Sequence, residues 1–178
     1  MRSVLMLVFA LAFQPSFSFS ASMPGTPDIP NLPNHIQCLD NSHQVMGYNN
    51  TQIVTWETTT KDQFHDRGMV TGQITTIYPN QTGHTHFAIS LGSGQGIELI
   101  YNDEFGALPK LSVGMTVSAC GDYITVGPHA HLPSPMPAII HWVHYNPGTR
   151  DGGRHPGGFL VINNQAYGFT NPGPDAND

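Results

Sequence analysis

Positive charge is scarce in this chain. Six Lys and Arg stand against twelve Asp and Glu in 178 residues, with ten His besides, for a formal net charge of −6. Non-specific nucleic-acid binding draws its affinity from phosphate neutralisation by clustered cations, so that function is disfavoured. Charged residues of either sign make up only 10% of the chain, so solubility does not rest on a densely charged surface. Long apolar runs are equally few: only residues 4–13 (VLMLVFALAF) form an unbroken one, too short to span a bilayer. The chain lacks GxGxxG, P-loop, GxSxG and HExxH patterns, which removes support for nucleotide-cofactor chemistry and several hydrolase classes. No internal repeat is evident.

What is present begins with a three-part leader. A short basic start (Met1-Arg2-Ser3) precedes the apolar core, and a small polar stretch follows to residue 22. That layout predicts a secretory signal over residues 1–22, with cleavage after Ser20 or Ser22, and hence a secreted or periplasmic protein. Its loss removes Arg2 and brings the charge near −7, with about 155 residues remaining, enough for one domain. Cys38 and Cys120 are the only cysteines. An exported setting permits a disulfide between them, with two free thiols as the alternative; no CxxC pairing favours a cysteine metal site.

Residues 23–50 are rich in Pro, Ser, Asn and Gly without an apolar period, which predicts an extended, poorly ordered arm carrying a solvated His35 and His43. Residues 51–64 (TQIVTWETTTKDQF) read either as a short helix with Ile53, Trp56 and Phe64 on one side, capped by Asn49 or Asn50, or as a strand. Beyond Gly68 the pattern is one of short strands separated by turns: residues 69–78, 84–91, 97–101, 115–126 and 138–145, then a hairpin over 159–169 around Asn163-Asn164. A helical turn is expected near residues 108–111, and residues 170–178 read as a frayed tail. Five antiparallel strands interrupted between the third and fourth predict an all-β, OB-like barrel over residues 51–169, with a β-sandwich as the alternative.

The richest stretch for chemistry is residues 139–159 (IIHWVHYNPGTRDGGRHPGGF), which holds His141, His144, His155 and Trp142. In a regular strand side chains alternate faces, so His141 and His144 point apart unless a bulge or strand end intervenes. The segments IHWVHYNP (140–147) and RHPGGF (154–159) resemble an uncharacterised bacterial family of small exported proteins with IHWTHHDP-like and HPxGW-like segments. His84-Thr85-His86-Phe87 is similar to that family's H-x-x-F segment and Gly121-Asp122-Tyr123 to its G-E-Y segment. Tyr145, Asn146 and Phe159 depart from the pattern, standing where His, Asp and Trp are usual. The resemblance spans about residues 69–168, agrees with an OB-like fold and implies no established activity.

Three functions remain compatible with these residues. One is an OB-like binding module for a small ligand or oligosaccharide, with Trp142, Tyr145, Tyr123 and Phe159 as an aromatic face and Arg154 orienting an anionic group. A second is a hydrolase, conceivably of phosphodiesters, in which His84, His141 and His155 act as acid–base groups, or join His144 to hold zinc or another transition metal. Asp103, Glu104, Asp122 and Asp151 are the nearest carboxylate partners by motif. The third is a structural or envelope-interaction protein. His84 and His86 share a strand face, as do His129 and His131 if their loop is extended, yet for His86, His129 and His131 a wet face is the expectation. His84, His141 and His155 are expected in one pocket.

Overall fold

The structure, a computed structural model, describes residues 36–92, 94–127, 133–146 and 156–170. The leader, His35, His129, His131, Asp151, Arg154, His155 and nearly all of the expected tail lie outside the described residues. Its elements are helix α1 (Asn50–Thr59) and strands β1 (His65–Ile77), β2 (His84–Gly92), β3 (Gln95–Asn102), β4 (Thr116–Thr125), β5 (Ala138–His141), β6 (Phe159–Ile162) and β7 (Gln165–Tyr167).

Five strands close a ring in the order β1-β2-β3-β5-β4, with β4 returning to pair with β1. All pairings in the ring are antiparallel except β3 with β5, which is parallel. This is a small OB-like barrel, and the β-sandwich alternative falls away. β6 adds to β4 outside the ring and β7 to β6. The β6–β7 link is the two-residue turn Asn163-Asn164, both with positive φ (48° and 66°), the backbone that a tight hairpin requires and that Asn tolerates best after Gly.

Alternation along the strands explains which residues fill the barrel. Phe87, Ile89 and Leu91 of β2, Ile97, Leu99 and Tyr101 of β3, Val117, Ala119 and Tyr123 of β4, and Ile140 of β5 point inward to one core. Helix α1 adds the fully buried Ile53 and lies against β1, β2 and β4. Asn49 and Asn50 do not cap this helix with their side chains. Instead Asn49 Oδ1 accepts from the Met69 N–H at 2.9 Å and Asn50 Oδ1 from the Thr71 N–H at 3.0 Å, so the helix start is pinned to β1.

Two further boundaries differ from the sequence reading. The irregular turn after β3 is a 3-10 turn at Asp103–Phe105, not at residues 108–111; the Asn102 side chain accepts from the Glu104 N–H and starts it early. Strand β5 stops at His141 because Trp142 takes a left-handed backbone (φ 49°), which ends the alternation four residues before Tyr145. The described part of the arm is also less loose than its composition predicts. Cys38 is joined to Cys120 by a disulfide across 82 residues of sequence, Leu39 bridges to Val45, and Cys38 packs with Met69, Cys120, Phe159, Val161 and Ala166 in a second apolar cluster.

Candidate functional site

The odd positions of β2 face the core, so His84 and His86 face outward, and β3 brings Ile100 directly opposite His86. β5 runs parallel beside β3, and its last residue, His141, falls next to them. These side chains, with Gln81 and Thr82 of the β1–β2 loop and Pro133 of the β4–β5 loop, line a recess of about 130 Å³. The His84 and His141 rings stack with centroids 6.1 Å apart, and His84 and His86 meet edge-on at 6.4 Å. His84 and His141 therefore share one recess, while His155, expected in the same pocket, lies outside the described residues. His86, expected on a wet face, belongs to it too.

Each of the two β2 histidines has one ring nitrogen held. His84 Nδ1 lies 3.0 Å from the Thr82 carbonyl oxygen. His86 Nδ1 lies 2.7 Å from Glu98 Oε1. Glu98 is only 2% exposed, and its second oxygen accepts a short hydrogen bond from the Ser134 hydroxyl, which itself accepts from the Met136 N–H at 3.0 Å. A buried carboxylate is retained only when donors converge on it, and here two do. The Tyr78 hydroxyl is pushed above its ordinary range, first by burial and then by the nearby Glu98 charge.

The remaining expected site residues disperse. His144 is buried and stacked on Phe105 at 3.8 Å, with Nδ1 2.9 Å from the Tyr145 carbonyl oxygen; the turn at Trp142 carries it away from the face that His141 occupies. Tyr123 is fully buried between Trp56 and Phe64, with ring centroids at 5.2 and 6.2 Å, because it lies on the inward row of β4. Burial pushes its hydroxyl up, and it offers no surface to a ligand. Phe159 is 1% exposed and, with Tyr145, lines a separate recess of about 320 Å³ against Ile36, Leu39 and Phe169. Only Trp142 of the expected aromatic face stays beside the histidines, meeting His141 edge-on at 4.4 Å.

A histidine whose Nδ1 is held by a carboxylate or carbonyl is also the usual form of a metal ligand. Among the described residues, however, no group of three or more His, Cys, Asp or Glu is placed to hold a metal ion. Of the expected set of His84, His141, His144 and His155, His144 is buried away from the recess and His155 lies outside the described residues. Of the carboxylates, Asp103 accepts from the Thr85 hydroxyl at 2.6 Å. Asp122 pairs with Arg67.

Sequence reasoning missed Glu98 behind the recess, and it also missed Arg67, a structural tie. It is 1% exposed and sits directly opposite Asp122 in the β1–β4 register. Its guanidinium also donates to the Leu39 carbonyl at 3.0 Å and the Gly157 carbonyl at 2.9 Å. One buried cation thus ties the arm and the Pro156–Gly158 turn to the barrel, with Asp122 lying opposite His141 on its other side.

No family model matches the chain, and no curated protein shows significant similarity to it.

Proposed function

We propose that this chain is an exported ligand-binding barrel whose site is the recess of His84, His86 and His141. The observation that carries this reading is the recess's address. OB barrels take oligonucleotides and oligosaccharides on the outer face of their second and third strands, between the first-to-second and fourth-to-fifth strand loops. Gln81 and Thr82, His84 and His86, Ile100, Pro133 and His141 come from those loops and strands and from the adjoining β5. The charge of −6 turns nucleic acid away and leaves a small neutral ligand or an oligosaccharide.

The size of the recess sets the mode of binding. A volume of 130 Å³ is the share of about four water molecules in the liquid, well below the roughly 300–1,000 Å³ of a site that engulfs a whole ligand. It takes one end of a ligand, whose remainder runs out over Trp142. The predicted leader and the Cys38–Cys120 disulfide support an exported setting, and among the described residues no helix is long and apolar enough to cross a membrane.

A glycan array probed with the mature protein tests this reading, beside His84→Ala and His141→Ala. The expected result is binding to a neutral glycan that falls at least tenfold in both variants while their thermal midpoints stay near the parent's. Binding that both variants retain in full, or none to any glycan or small polyol, would overturn it.

A further inference from the structure

We infer that Glu98 determines what this recess recognises, by fixing His86 as a hydrogen-bond acceptor and so selecting neutral, hydroxyl-bearing ligands. The inference rests on the binding reading above and adds to it the chemical class of the ligand and a residue that lies behind the site.

The histidines' partners dictate the polarity. A carbonyl oxygen only accepts hydrogen bonds, so the 3.0 Å contact of His84 Nδ1 with Thr82 places a proton on that nitrogen. A carboxylate oxygen likewise accepts, and Glu98 places a proton on His86 Nδ1 in the same way. In the neutral ring the other nitrogen, Nε2, then carries a bare lone pair. While both rings are neutral, the two neighbouring imidazoles, 6.4 Å apart by their centroids, each present an acceptor to a ligand. Hydroxyl groups are the complementary donors. An anionic ligand meets two lone pairs, the Glu98 carboxyl behind them and a chain of net charge −6, and among the described residues no Lys or Arg lines the recess.

Glu98 acts a second time through the wall of the recess. Ser134 bonds to its other oxygen and adjoins Pro133, which lines the cavity. The carboxylate thus holds both the tautomer of His86 and the position of Ser134 beside Pro133. Glu98 does not line the recess itself, so it is a positioning residue and not a contact.

The test is the Glu98→Gln variant, read by the ring-nitrogen chemical shifts of His86 and His84 together with titration by glucose, galactose, mannose and sorbitol. A carboxamide is isosteric but can donate as well as accept, which frees His86 to move its proton to Nε2. Expected are Nδ1–H rings at His84 and His86 in the parent, a shift of His86 alone towards Nε2–H in the variant, and at least tenfold weaker binding of any polyol that the parent binds. Glu98→Ala, which removes both bonds, would give the same loss with added disorder of the loop resonances. A parent His86 already protonated on Nε2, or an unchanged His86 in Glu98→Gln, would overturn the role of Glu98. Correct tautomers with binding of phosphate or acetate and of no polyol would overturn the ligand class alone. Correct tautomers with nothing bound at the recess would instead bring down the binding reading.

Discussion

Arg67 ties three separate parts of the described structure together. Its charge is out of water, opposed by Asp122, and its remaining donors reach the arm and the Gly157 carbonyl. Removing one partner of a buried pair strands the other charge, a loss of roughly 3–5 kcal/mol. Arg67→Met is therefore expected to lower the unfolding free energy by about that amount, measured by urea denaturation with the disulfide intact. A change below about 1 kcal/mol would show that the pair contributes little beyond packing. Glu57 makes the second residue-scale prediction. Its carboxyl oxygens are buried without a hydrogen bond, and desolvation raises its pKa from 4.5 to about 7. A carboxyl whose folded value exceeds its unfolded one contributes stability in the neutral form, complete below pH 4.5 and lost as pH rises through about 7. The urea midpoint is expected to fall over that interval, and Glu57→Gln to flatten the fall. Neither role was legible in the sequence. Arg67 reads there as a residue before a glycine, because only the β1–β4 register puts it opposite Asp122, 55 positions away.

The elements explain where the histidines fall. His84 and His86 lie two apart on a regular strand, so their shared face is readable from spacing alone; their burial is not, since Glu98 reaches His86 from β3 and Ser134 from the β4–β5 loop. His141 and His144 separate because the left-handed Trp142 ends β5, a backbone choice that no local composition announces. The carbonyls of Trp142 and Cys120 crowd Gly158, so a Cβ there would overlap both, and the Gly158 N–H donates to the His144 carbonyl at 2.6 Å. Gly158→Ala should push the Pro156–Phe159 turn off the barrel, lowering the melting temperature by several degrees, about 1–3 kcal/mol of overpacking. An unchanged melting temperature would mean that the turn yields freely. The disulfide, by contrast, is legible from two cysteines in a chain whose start reads as a secretory leader. Closing a loop of 82 residues restricts the unfolded chain by about 4–5 kcal/mol on the chain-entropy relation. The double variant Cys38→Ser, Cys120→Ser should show a loss of that order in urea denaturation, and a loss near zero would place the stabilisation elsewhere.

For the whole molecule, the barrel follows from strand count and interruption, and its closure gives the histidines an address. The parallel β3–β5 contact brings His141 from residue 141 to the side of a strand that begins at residue 84, forming one recess from three strands and two loops. The separation of this recess from the one lined by Tyr145 and Phe159 divides the expected aromatic-and-histidine surface into two places, which pattern reading at the level of segments has no means to foresee. The most direct measurement is a ¹H–¹⁵N chemical-shift map of the protein titrated with a soluble glycan taken from the array. The account predicts perturbations centred on His84, His86, Ile100, His141 and Trp142, with the backbone around Tyr145 and Phe159 unmoved. Perturbations confined to Tyr145, Phe159 and Phe169 would contradict it and move the site to the other recess.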